Sequence, residues 1–437
     1  MTTHITEAPG SALQSTVRWL TVISVCLILT IVFTVDALAD SLFHAPSAQS
    51  EQTPDLLEGV ELWNERALEL SVKHRRNPLR VARGLAVLHL AIHRSVAFAA
   101  AQSGDELVQK VAAGAAAGPV LDYLFPLEAP GRFEAMAWAT YATAARESDT
   151  DPELLRAAWS AGLSAARHAI SYAQRDNSDL TWDPMQRPVP APGIWRAAPP
   201  LNAYDPLEPL AATWATWVLK SSGEIQPPPP IAYDTPEYWR ETEEVLAVSR
   251  VLTPQQKRIA EEWNLDQGSV TPAGVWNLKA RALLRAGNLD TQQAARVLAL
   301  LNLAMADASI VSWKTKFTHW TQRPVTAIRD RFDTEWLPHL LTPAFPSYLS
   351  THATVSGAAA AVVSAFFPEA AESLQAAAEE AAMSRLYGGI HFRSDNDEGL
   401  NLGRRISQVI LERAYTGNPG SPLTDEFVLP LLQTNGN

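Results

Sequence analysis

Two segments, RGLAVLHLAIHRS (Arg83 to Ser95) and RVLALLNLAMADA (Arg296 to Ala308), align without a gap and agree at six positions. Leu85, Leu88 and Ile92 of the first fall on Leu298, Leu301 and Met305 of the second. Apolar residues at spacings of three and four form one face of a helix, and that face needs a partner to cover it. A weak internal repeat of such helices predicts two similar helical bundles related by pseudo-symmetry. Abundant alanine and few β-branched runs point the same way. At 437 residues and 47% apolar content the chain is long enough for one large domain or two ordinary ones.

The N-terminal segment, 1–39, has a character of its own. Trp19 to Val35 is uncharged and apolar, and Ala37 and Ala39 follow it in a small-x-small pattern. This predicts an export signal over 1–39, cleaved after Ala39, or an uncleaved membrane anchor at 19–35. Either places the rest of the protein across a membrane, as a secreted, periplasmic or anchored protein. Residues 40–54 read as a polar linker. The N-terminal bundle is 55–181, with helical spacing from Leu56 to about Ala173. Residues 182–236 are rich in proline and cannot be helix interior. Trp195, Tyr204, Trp214 and Trp217 within them predict that parts of this connection pack down. A C-terminal bundle occupies 237–437. The only cysteine is Cys26, so the chain beyond the leader has neither a disulfide framework nor a reactive thiol. A net charge of −12 argues against a nucleic-acid-binding face. Any anion must be held by a local cluster of positive groups.

Three stretches of the C-terminal half carry such groups. In WKTKFTHWTQRPVTAIRD, Lys316 lies two helical turns before Arg323, which predicts that both point to one side of a helix. A point charge beside a rigid fork suits an oxyanion, although two basic residues on a helix are commonly a solvated face. In AFPSYLSTHATVSGAAAAVVSAFF, a helix is predicted to start near Ser350 to Thr354. Ser350 and Thr351 then stand at a helix N-terminus, where free N–H groups favour an anion, with His352 in the first turn. In AEEAAMSRLYGGIHFRSDNDEG, a helix holding Ser384 and Arg385 breaks at Gly388-Gly389, and His391 follows the break. Asp395 either accepts the second imidazole N–H of His391 or merely caps the next helix.

The ordered set Lys-x6-Arg-Pro, Ser-x-His, Ser-Arg-x5-His-x3-Asp resembles the three-part signature of the type-2 phosphatidic acid phosphatase and vanadium haloperoxidase superfamily. RPVTAIR, FPSY and YGGIHFRSDND are similar to the way the vanadium-dependent haloperoxidase branch writes it, and the likeness spans roughly residues 55–415. After residue 35 no uncharged stretch comparable to the first is long enough to span a bilayer, which sets the chain apart from the multi-span lipid phosphatases.

The resemblance implies an all-α fold of two four-helix bundles, in agreement with the repeat, and a vanadate cofactor bound through His391. Lys316, Arg323 and Arg385 would neutralise its oxygens, and Ser350 with the backbone N–H of Thr351 would add hydrogen bonds. His352 would be the acid/base, Trp313 and Phe345 would line the halide side, and Ser384 and Asp395 would support the cluster. Hydrogen peroxide, halide and an organic acceptor are the implied small-molecule partners. The family usually has glycine where this chain has Thr351, and a common proline is replaced by Leu349. An added side chain at Thr351 would crowd the oxyanion or offer it another donor. The same residues could serve a secreted acid phosphatase without a cofactor. There His391 would be the nucleophile on a phosphate ester and His352 the general acid. A helical binding protein without catalysis is the third reading, and a homo-oligomer is compatible with each.

Overall fold

The computed structural model describes residues 59–414, and the readings made on 1–58 and 415–437 lie outside the described residues. Among the described residues there are thirteen α-helices and no strand. The helices α1 (Gly59–Lys73), α2 (Pro78–Gln102), α3 (Glu106–Leu124), α4 (Arg132–Glu147) and α5 (Pro152–Ala173) come first. An irregular connection then reaches α6 (Pro236–Arg250) and α7 (Pro254–Glu262). Next are α8 (Thr271–Ala286), α9 (Thr291–His319), α10 (Pro324–Arg331), α11 (Thr351–Phe366), α12 (Ala371–Tyr387) and α13 (Arg393–Ala414). Side-chain caps start many of them: Asn77, Asp105, Asp151, Asp290 and Ser350 each accept a first-turn N–H.

Helices α2 to α5 form one bundle and α9, α11, α12 and α13 form the other, and α2 packs on α9 to join them. The repeat segments therefore meet face to face. The offset that relates them also organises a buried polar network. Asn64 Nδ2 donates to Asn277 Oδ1 at 2.7 Å, and these two residues are repeat equivalents. Asn64 Nδ2 also lies 2.7 Å from His89 Nε2, while Asn277 Nδ2 donates to Asn302 Oδ1 at 2.8 Å. His89 and Asn302 are again equivalent positions of the repeat. The network joins α1, α2, α8 and α9, and hydrogen bonds between buried side chains set the register of the helices that carry them.

By length and hydropathy α2 and α9 could each cross a membrane, but 72% and 94% of their most apolar windows are buried inside the protein. Both are core helices, apolar on all sides because neighbours surround them. Helix α9 passes that test with the charged Asp307 in its middle. Asp307 is fully buried and accepts the backbone N–H groups of Trp217, Val218 and Leu219 at 2.6, 2.9 and 2.9 Å. That contact clamps the connection onto the second bundle. Helix α5 ends at Ala173, where the helical spacing of the sequence also ends, and the connection follows it. Trp195, Trp214 and Trp217 are buried as expected, whereas Tyr204 is 72% exposed.

In the second bundle α11 and α13 pack backbone against backbone. A β-carbon at Gly403 would overlap the Thr354 carbonyl oxygen, and one at Gly399 would lie 2.7 Å from Ser350 O. The equivalent contact in the first bundle joins α3 and α5, where a β-carbon at Gly162 would lie 2.6 Å from Ala112 O.

Candidate active site

The polar motifs gather where four helix ends of the second bundle converge. Lys316 is in the last turn of α9, Ser350 caps α11, Arg385 is in the last turn of α12, and Asp395 is in the first turn of α13. One expectation needs correcting. Lys316 and Arg323 do not share a helix: α9 stops at His319, Trp320 turns left-handed at φ 51°, and Arg323 is the N-cap of α10. The chain reverses between them, and a fold contact achieves what helical spacing does not.

Lys316 is fully buried, and its ammonium donates to Pro346 O at 2.9 Å and Ser347 O at 2.8 Å. Two of three donors are thereby used. The ammonium stands 5.1 Å from the Phe345 ring centroid and 5.7 Å from that of Trp313, and the two rings contact each other at 4.9 Å. Arg323 donates through Nε to Phe345 O at 2.8 Å and through Nη1 to Ile390 O at 2.7 Å. The same Nη1 lies 2.9 Å from His391 Nε2. Arg385 Nη1 donates to Trp263 O at 2.7 Å and lies 2.9 Å from His352 Nε2. Three cations and two imidazoles, drawn from three separate stretches of sequence, thus adjoin in space.

Asp395 fills both roles that the sequence left open. Its Oδ2 is 2.9 Å from His391 Nδ1 and accepts the Phe392 N–H at 3.1 Å, ahead of α13. It also accepts the Ser347 hydroxyl at 2.5 Å. Sequence reasoning misses Ser347 as a site residue, although it lies in FPSY, one of the stretches that carry the resemblance. With Nδ1–H donated to a carboxylate, the His391 lone pair is on Nε2, directed at the cations. Ser384 is the expected site residue that stays outside this cluster: its hydroxyl donates to Ala381 O at 2.6 Å within α12. Ser350 Oγ accepts the Ala353 N–H at 3.4 Å, and its own N–H donates to Asp395 O at 2.9 Å. Thr351 turns its hydroxyl to Ser312 Oγ at 2.6 Å, which leaves its backbone N–H at the open end of α11. Ser312 gives no signal in the sequence, because a serine inside a helix is usually a spacer.

The electrostatics are those of an anion site. Burial pushes Arg323 and Arg385 each down to about 9. Burial, then Arg323, holds Lys316 well below its ordinary value. Burial holds His391 and His352 well below the usual imidazole range, with neighbouring cations adding to it. Burial raises Asp395 against the opposing pull of Ser347 and Lys316. Every cation here would gain from a negative partner. Among the described residues Arg323 Nη2, Arg385 Nε and Arg385 Nη2 are buried without an acceptor. Buried, unpaired guanidinium groups are costly, and a tetrahedral oxyanion offers several acceptors at once. The residues present therefore fit vanadate or phosphate. His352, Arg385 and His391, with Trp313, Phe345 and Thr351, line one cavity, while Lys316 and Arg323 lie behind its wall.

Comparison with known proteins bears on the second bundle and on the fold. Residues 296–373 and 369–417 match the family described as the VCPO second helical-bundle domain. Similar solved structures include a bacterial vanadium-dependent iodoperoxidase, 25% identical, with a TM-score of 0.69 over 87% of this chain and 100% of that one. The apo form of a bacterial vanadium-dependent chloroperoxidase is 15% identical, with a TM-score of 0.62 over 80% of this chain and 94% of that one. The holo form of a bacterial vanadium-dependent chloroperoxidase is also 15% identical, with a TM-score of 0.58 over 87% and 95%. These last two show the shared fold. A search of curated protein sequences finds no match.

Proposed function

Because this chain belongs to the haloperoxidase branch of the type-2 phosphatidic acid phosphatase and vanadium haloperoxidase superfamily, we propose that it binds vanadate and oxidises halide with hydrogen peroxide to a hypohalous species. The observation that carries this reading is the set of buried guanidinium nitrogens on Arg323 and Arg385 that lack an acceptor. Bound vanadate supplies a Lewis acid that makes peroxide electrophilic towards halide. His391 Nε2 is the atom that would hold it, with the tautomer fixed by Asp395. Lys316, Arg323 and Arg385 neutralise the oxyanion, and the Ser350 hydroxyl and the Thr351 N–H donate to it. His352 takes a proton from peroxide and returns it through its ring nitrogen. Trp313 and Phe345 give the weakly hydrated halide an apolar wall.

The solved relative at 25% identity is an iodoperoxidase, so iodide is the first halide to assay. The uncharged Trp19 to Val35 segment supports delivery of the enzyme across a membrane.

The test is a paired assay on one preparation: iodide and bromide oxidation with and without vanadate, and hydrolysis of p-nitrophenyl phosphate without it. Halide oxidation is expected only with vanadate, with phosphate competing. His391→Ala is expected to reduce it to background while the melting temperature holds. Good phosphate-ester hydrolysis without any vanadate-dependent oxidation would replace this reading with the phosphatase one.

A further inference from the structure

Helix α2 stands between two cavities. Its Leu79 and Ala82 line the catalytic cleft that opens onto His352 and His391, whereas its Arg80 and Arg83 line another cavity, of about 200 Å³. The two share no lining residue. Arg76, on the turn between α1 and α2, brings a third guanidinium to the second cavity, and Tyr123 in the last turn of α3 brings a phenol. Nothing in the proposed chemistry uses these groups.

The two arginines of α2 have protein carboxylates of their own. Arg80 donates through Nε and Nη2 to Glu208 at 2.7 and 2.9 Å, and Arg83 donates through Nε to Asp176 at 2.6 Å. Neither carboxylate lines the cavity. Arg76 has no such partner. It donates through Nη2 alone, to Leu124 O, and its Nε and Nη1 meet no acceptor among the described residues. Arg80 Nη1 meets none either. Burial first, then Arg80 and Arg83, lower the Arg76 pKa. A half-buried cation facing like charges is stabilised by an anion that several donors share.

The donors are also held in place. The Arg76 guanidinium stands 5.4 Å from the Phe125 ring centroid and that of Arg80 stands 4.8 Å from the Trp214 ring. Guanidinium forks present paired N–H groups, which match the oxygens of an oxyanion better than a spherical halide. Buried Val81 and Leu85 also line the cavity, and apolar surroundings strengthen such a contact. The carboxylate that lines it is Asp179, which is exposed.

We propose that this cavity is a second anion site, on the first bundle, for a small oxyanion of the phosphate type held by Arg76 and Arg80 with the charge of Arg83 beside them. The inference rests on the three arginines and not on the haloperoxidase reading.

The test is calorimetric titration of the full chain with sodium phosphate at low ionic strength, where exposed charges are least screened. A binding component is expected that Arg385→Ala leaves intact, since that substitution acts on the catalytic cluster. Arg76→Leu should weaken this component at least about tenfold. Asp179→Asn removes a like charge from the cavity and should tighten it about threefold. The exposed position of Asp179 keeps that variant folded, so it decides the matter if Arg76→Leu does not fold. No phosphate binding, binding that Arg385→Ala alone abolishes, or binding that Asp179→Asn leaves unchanged overturns the second site. If the component behaves as expected but vanadate brings no halide oxidation, the haloperoxidase reading falls and the second site stands.

Discussion

Single side chains here are defined by what they lack as much as by what they touch. Arg385 spends one nitrogen on Trp263 O and His352 and leaves two buried nitrogens without an acceptor. The motif identifies this arginine, but its free valences emerge only once the surrounding atoms are in place. Thr351 shows the reverse. A side chain at this position is expected to crowd the oxyanion or add a donor. Its hydroxyl instead engages Ser312 on α9, so the pair ties the N-terminus of α11 to the neighbouring helix. Ser312→Ala is expected to weaken vanadate binding about fivefold, equivalent to about 1 kcal/mol. The melting temperature should shift by less than about 4 °C. Equilibrium dialysis and thermal unfolding measure the two. A large fall in melting temperature at constant affinity would assign the pair to folding alone.

Among the elements, the α11–α13 contact decides whether the site exists. Its glycines let the two backbones approach until the Ser350 N–H reaches Asp395 O, a separation of 2.9 Å. That contact brings the helix carrying His352 to the loop carrying His391. Gly403→Ala would force the Thr354 turn away. The expected cost is about 2–3 kcal/mol in urea unfolding, together with a lower affinity for vanadate, because α11 carries Ser350 and Thr351. An Ala variant as stable as the parent, with unchanged vanadate binding, would show that the close approach is not needed. Caps and apolar spacing make most elements legible in the sequence. The break after His319, where Trp320 turns left-handed, is not. Tryptophan there carries no turn signal, and the packing of its ring on Phe317, 4.9 Å between centroids, belongs to the fold.

For the molecule as a whole, the pseudo-twofold crossing of α2 and α9 couples stability to pH. His89 is fully buried in it and is held down to about 3, by burial first and Arg281 second. Its folded value lies below the ordinary 6.5, so the unfolded chain takes up the proton first. The stability His89 contributes is complete above that ordinary value and is lost as pH falls towards the folded one. His89→Asn, which installs the residue found at the repeat-equivalent Asn302, should flatten the acid limb by up to about 1.4 kcal/mol per pH unit. His93, held down to about 4 by burial, keeps part of the slope. Urea unfolding at about pH 7 and about pH 5 reads the difference, and an equal acid slope in both proteins would remove His89 from the account. The sequence by itself determined the helical class, the repeat and which charged side chains to look for at one site, because helical spacing, caps and charged motifs are local patterns. Only the tertiary structure decided that Lys316 and Arg323 meet across a chain reversal, that Ser312 and Ser347 support the site, and that α2 walls the cleft. Those are contacts between distant segments, set by which surfaces pack when the two bundles close, and no local spacing encodes them.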